Sequence, residues 1–232
     1  MGDYDDLSST SERQIINNNF LHDSTRESLE QLYKRYTQDF YKEIQFMRGR
    51  VIGLLEGNHY STFQNGTNTT QLLCEKLGCK YLGVSAFIKL QFRKDEYRCQ
   101  DLDLWAHHGI GGGRTISSSI NSLEKMCLAA NADIYLQGHN HRKSFNTESK
   151  LQLSDSRRGL NLNNRKIILA RTGSFLKGYV PGKASYIADA GLSPTDIGAV
   201  KIVVTPQRTQ PRISPGRKER KESVWLDIHG VV

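Results

Sequence analysis

Five of the seven histidines, His59, His107, His108, His139 and His141, fall in three short loops, each directly behind an apolar run. Arg50–Leu55 runs into Glu56-Gly57-Asn58-His59, Tyr97–Ala106 into His107-His108-Gly109, and Ala132–Gln137 into Gly138-His139-Asn140-His141. Short apolar runs of this length read as buried strands. In α/β folds ligands bind just outside the carboxyl ends of strands, where several loops converge. Neutral imidazole and carboxylate ligate Zn, Mn, Fe and related divalent ions, and an amide oxygen such as that of Asn58 suits the harder ones. Asp3, Asp5 and Asp6 add carboxylates near the amino end. A single core histidine is usually a packing residue; five at converging strand ends predict a metal site.

The elements that must carry these loops are read from periodicity. The first residues, MGDYDDLSSTSERQIINNN, form a polar stretch of turn and cap formers. A long helix follows, with a capping-box spacing at Ser24–Glu27 and an apolar face of Leu29, Leu32, Tyr33, Tyr36, Phe40, Ile44 and Met47. Further helices are predicted over Thr69–Leu77 and Thr115–Ala130, the latter with Ile116, Ile120, Leu123, Met126 and Cys127 on one side. Strands are predicted at Tyr81–Leu90, Tyr97–Ala106, Ala132–Gln137, Lys166–Arg171, Ser174–Tyr179, Ser185–Asp189, Ala199–Thr205 and Ser223–Ile228. No internal repeat is visible.

Composition bounds the function classes. The 232 residues are 37% hydrophobic and 24% charged, with mean hydropathy −0.55, which describes a soluble globular chain. No apolar run approaches the roughly 18–20 residues of a membrane-spanning helix, and no signal-peptide pattern opens the chain, so no membrane and a cytoplasmic location are expected. Cys74, Cys79, Cys99 and Cys127 contain no C-x-x-C pair and suit a reducing compartment. The net charge of +8 favours anionic partners. A basic, proline-containing loop over residues 206–222 holds much of the excess and is read either as a contact to a phosphate backbone or as a solvated excursion.

Taken in order, Gly2-Asp3-Tyr4-Asp5-Asp6, Gly57-Asn58-His59, His107-His108-Gly109 and Gly138-His139-Asn140-His141 match G-D-x-x-D, G-N-H, an isolated-His motif and G-H-x-H. The chain thereby resembles the calcineurin-like metallophosphoesterases, binuclear-metal phosphatases, phosphodiesterases and nucleases. The resemblance implies an α/β (α+β) fold: a four-layer β-sandwich flanked by helices, one domain over 1–232, shortened at its amino end. It implies two divalent ions, Mn first, with Fe, Zn, Ni or Mg as alternatives. Asp3 would bridge the ions. Asn58, His139 and one of His107 and His108 would complete the second ion's shell, and His141 would serve the first. Of the pair, His107 is the expected ligand, being the first residue after its strand. His59, with Asn58, would act on the scissile phosphate. His108, Asp6 and Arg114 would lie beside substrate or behind the ligands, Arg114 at the end of the glycine-rich run Gly109–Arg114.

The family's opening strand with D-x-H precedes G-D-x-x-D, whereas here Met1 stands directly before that motif. The expected first-metal Asp and His are therefore missing from the sequence, pointing to an internal methionine taken as the start, a shortened protein or a decayed relative. Tyr60 follows His59 where many relatives carry an acidic residue, removing one orienting group. The leading functional expectation is a metal-dependent phosphoesterase acting on phosphate mono- or diesters, with nucleic acid or nucleotides as candidate substrates. The alternative is a catalytically silent nucleic-acid-binding or scaffold relative with one intact metal site.

Overall fold

The computed structural model describes residues 1–17, 21–93, 99–111, 115–156, 159–208 and 224–232. The fold is mixed α/β, and its contacts divide into two compact units: Met1–Ala86 with Ala106–Gly112 and Gln137–His139, and Phe87–Trp105 with Gly113–Leu136 and Asn140–Val232.

The first unit contains helices α1 (Thr10–Asn17), α2 (Asp23–Ile44) and α3 (Thr69–Leu77), and strands β1 (Gly53–Leu54) and β2 (Lys80–Tyr81), paired in parallel. The amino-terminal polar stretch is helical over Thr10–Asn17, where only turns and caps were expected. Its start is a capping box: the Glu12 N–H donates to Ser9 Oγ and the Ser9 N–H to the Glu12 carboxylate. The box expected at Ser24–Glu27 is absent, because α2 starts two residues earlier and His22 caps it, its ring accepting from the Ser24 N–H. The buried stripe of α2 is also narrower than predicted. Tyr33 and Thr37 are buried and Phe40, Tyr41 and Ile44 pack on Leu54, Leu73, Cys74 and Leu77, while Leu32, Tyr36 and Met47 are exposed. Helix α3 has the predicted span, fixed by an Asn68–Gln71 capping box and by Gly78 at φ +66°.

The second unit is built on a five-stranded sheet of β3 (Ser85–Arg93), β4 (Cys99–His107), β5 (Ile134–Gln137), β6 (Lys143–Ser156) and β7 (Gly159–Thr172), in the order β3-β4-β5-β7-β6. Side chains alternate between its faces. On one face Tyr135, Ile167 and Leu169 pack against Leu123 and Met126 of α4 (Ile116–Ala129). On the other, Leu102, Ile134, Ile168 and Ala170 pack against Ile202 and Val204 of β8 (Lys201–Arg208) and Leu226 and Ile228 of β9 (Val224–Val231). Ile116, expected on the packed side of α4, is exposed.

Four strand predictions require correction. The run Tyr81–Leu90 is split between β2, which ends at Tyr81, and β3, which starts at Ser85. Strand β6 was not foreseen, and β7 begins well before Lys166. Ser174–Tyr179 forms only an isolated bridge, since Gly173 at φ +79° turns the chain out of β7. Ser185–Asp189 is not a strand but contains the short helix α5 (Tyr186–Asp189), with Ser185 Oγ accepting the Ala188 N–H. Residues Pro206–Arg208 of the expected loop belong to β8, where a two-stranded ribbon tolerates proline; positions 209–223 lie outside the described residues. Among the described residues no helix is long and apolar enough to cross a membrane, and Cys74, Cys79 and Cys127 are free thiols.

Candidate metal centre

The site is assembled within the first unit from residues 1–6, the loop after β1 and the loops that follow β4 and β5. Asp3 is held left-handed, at φ +52°. Its Oδ1 accepts the Asn58 N–H at 2.6 Å and the His59 N–H at 2.9 Å. This approach is possible only because of two glycines. A Cβ on Gly57 would lie 2.0 Å from Asp3 Oδ1, and one on Gly2 would lie 2.3 Å from His108 Nδ1.

Four ligand-type atoms then converge. His108 Nε2 is 3.2 Å from Asp3 Oδ2 and 3.0 Å from Asn58 Oδ1, and His139 Nδ1 is 2.9 Å from the same Asn58 oxygen. The two imidazoles meet edge-on, 5.1 Å apart at 71°. The ligand atoms of Asp3, His108 and His139 all lie within 4.8 Å of one another.

Proton counting shows what this cluster lacks. His108 is buried, and its Nδ1 sits 2.7 Å from the Met1 carbonyl, which can only accept, so Nδ1 carries the proton. In the neutral ring Nε2 is then a bare lone pair facing a carboxylate oxygen and an amide oxygen. Either a proton on His108 or a cation can stand between that nitrogen and the two oxygens. A carboxylate oxygen, an amide oxygen and two imidazole nitrogens form a donor set suited to Mn, Fe, Zn or Ni. Burial alone would raise the Asp3 carboxyl, but the hydrogen bond and charge of His108, with the His59 N–H, outweigh it and bring its pKa down to about 2.

Backbone geometry singles out two of the four, Asp3 and His139, together with His141. The only non-glycine residues described at positive φ are Asp3, His139 (+66°) and His141 (+50°). Each such conformation costs on the order of 1 kcal/mol and persists where the surroundings enforce it, often at functional sites.

Beside the cluster, His59 Nδ1 lies 2.7 Å from Asp6 Oδ1. Asp6 thus holds the Nδ1 side of the ring and leaves Nε2 for other contacts. Asp3, Tyr4, Asp5, His59, Tyr60, Thr69, Thr70 and Leu73 line a small cleft here. Burial pushes the Asp5 carboxyl up to about 6.

The structure therefore brings together Asp3, Asn58 and His139 as expected, but joins them with His108 rather than His107. His107 Nδ1 accepts the Gly109 N–H at 2.7 Å, and burial and the neighbouring His108 push its pKa down. His141 lies in the second unit, and Arg114 falls outside the described residues.

Two supporting residues escaped the sequence reading. Arg13, buried on α1, donates through one guanidinium nitrogen to the carbonyls of Ser8, Asn58 and Tyr60 at 2.7, 2.7 and 2.9 Å and stacks 4.1 Å over the Tyr60 ring. Glu56 is buried and accepts from Asn68 and Tyr81, tying the loop to the α3 cap. Its place beside Gly57 was visible; Arg13 carried no signal beyond following Glu12. Arg13→Leu leaves three carbonyls short of a donor and should cost about 3 kcal/mol in urea unfolding. Arg13→Lys should recover only part of this, because an ammonium lacks the planar stacking group.

Comparison with protein-family models, curated proteins and solved structures finds no match for this chain.

Proposed function

We propose that the chain binds a divalent cation through Asp3, Asn58, His108 and His139 and hydrolyses phosphate mono- or diesters as a phosphoesterase of the metallophosphoesterase type, fold included. The observation that carries this reading is the convergence of a carboxylate oxygen, an amide oxygen and two imidazole nitrogens at one place. A divalent ion bound there supplies positive charge that polarises a phosphoryl oxygen and acidifies water. The chain's own residues do the rest. Asp3 stays ionised by virtue of its depressed pKa, the Asn58 and His59 N–H groups fix its rotamer, and Arg13 fixes the loop bearing Asn58. His59, oriented by Asp6, delivers a proton from Nε2 to the departing oxygen. The net charge of +8 supports an anionic substrate, nucleic acid or nucleotide included.

The test is hydrolysis of bis-p-nitrophenyl phosphate and p-nitrophenyl phosphate with Mn²⁺, abolished by chelator and by Asn58→Ala. Protein that binds the ion yet cleaves neither ester would overturn the enzymatic half and leave the binding-protein alternative. Metal binding should also weaken on acidification. The Asp3 carboxyl, held near 2, does not titrate in the working range, so proton competition comes from ligand imidazoles that must be neutral to bind. Affinity is thus higher in mildly alkaline than in acidic solution, as Mn²⁺ titrations at several pH values will report.

A further inference from the structure

Strands β6 and β7 pair in antiparallel register along their whole length, from Lys143↔Thr172 to Ser156↔Gly159. Strand β5 meets β7 near Ile168, whose N–H donates to the Asp133 carbonyl, so the outer halves of the hairpin project as a two-stranded ribbon. The ribbon is written as half-buried strand: Lys150-Leu151-Gln152-Leu153-Ser154 alternates against Leu160-Asn161-Leu162-Asn163. Leu153 lies opposite Leu162, and directly opposed residues share a face, which puts Leu151, Leu153, Leu160 and Leu162 together. That face continues the one which Ile168 and Ala170 bury under β8 and β9. Yet the four leucines are 71, 65, 70 and 64% exposed.

We infer that this leucine face is a self-association surface, covered by the same face of a second copy of the chain. The four side chains offer on the order of 500 Å² of apolar surface per copy, beyond what scattered surface residues present. Two such faces together bury on the order of 1,000 Å², the lower bound for a specific interface. A two-stranded ribbon is marginal in water unless one face is packed. The partner is a second copy because the patch is complementary to itself. By register it is bounded inward by Ser149 and Asn164, and no charged residue falls between them and the Asp155↔Leu160 pair. Among the described residues, the cations of the ribbon's inner part are engaged elsewhere: Lys150 donates to the Cys127 carbonyl, Arg165 pairs with Asp133, and Lys166 donates to the Ile228 carbonyl.

Sedimentation velocity on the full chain tests this. Wild type should form a reversible dimer at tens of micromolar, tightening with added salt, because salt screens the repulsion between two chains of net charge +8 while leaving an apolar contact intact. Leu153→Glu combined with Leu162→Glu should weaken dimerisation roughly 100-fold without lowering the melting temperature measured at a concentration where wild type is monomeric. Leu153→Ser with Leu162→Ser carries the same prediction at smaller amplitude. A chain that stays monomeric at hundreds of micromolar in either salt, a dimer that salt dissociates, or substituted chains that dimerise as wild type does would each overturn the inference.

Discussion

Replacing Asp3 by Ala should abolish high-affinity Mn²⁺ binding, weakening it by at least about 100-fold, more than loss of a supporting hydrogen bond costs at metal sites. The size follows from position. Asp3 supplies the only carboxylate of the four-atom set, and its Oδ1 also gathers the Asn58 and His59 N–H groups. Removing it loses the anionic ligand and frees the loop that presents the amide ligand. Asp3→Asn keeps the shape but not the charge, and should fall between wild type and Asp3→Ala. Isothermal titration calorimetry with Mn²⁺ reads all three. The four-donor set accounts for one equivalent, and a second ion, as the family resemblance implies, would appear as a second equivalent.

His59→Gln should leave Mn²⁺ affinity within a factor of about two while lowering the hydrolytic rate by roughly 100- to 10,000-fold, the range for loss of a positioned proton donor. The side chain belongs to the cleft rather than to the ligand cluster, and its Nδ1 is taken by Asp6. Asp6→Asn should lower the rate less, because that carboxylate is 67% exposed and acts only through the ring. Esters with better leaving groups should lose least from His59→Gln, since they depend least on protonation. Equal losses across a leaving-group series would remove the proton-donor role and leave His59 as a charge beside the phosphate.

Much of the site was legible because its residues sit at strand ends. The apolar runs before His59, His107 and His139 lead into the loops that bring Asn58, His108 and His139 together. The choice between His107 and His108 was not legible. Consecutive residues at a strand end point in opposite directions, and which one faces Asp3 depends on the pairing of the loop, where the His108 N–H donates to the Val84 carbonyl. Arg13 escaped for a similar reason, since its three acceptors are backbone carbonyls and leave no trace in side-chain pattern.

The fold divides the same way. Helix α3 carried all its punctuation in sequence, at Asn68, Gln71 and Gly78. Helix α1 carried Ser9 and Glu12 as well, but without an apolar stripe they looked like loop. Strand β6 is largely polar, and its assignment rests on pairing with β7, a tertiary property that local pattern does not hold.

Pulsed EPR of Mn²⁺ bound to wild-type protein tests the central claim most directly, because it counts directly coordinated imidazole nitrogens. The arrangement of Asp3, Asn58, His108 and His139 predicts two such nitrogens, one lost in His108→Gln, one lost in His139→Gln and both kept in His107→Gln. A bound ion with no nitrogen coupling, or a signal that survives His108→Gln and fails in His107→Gln, would contradict it.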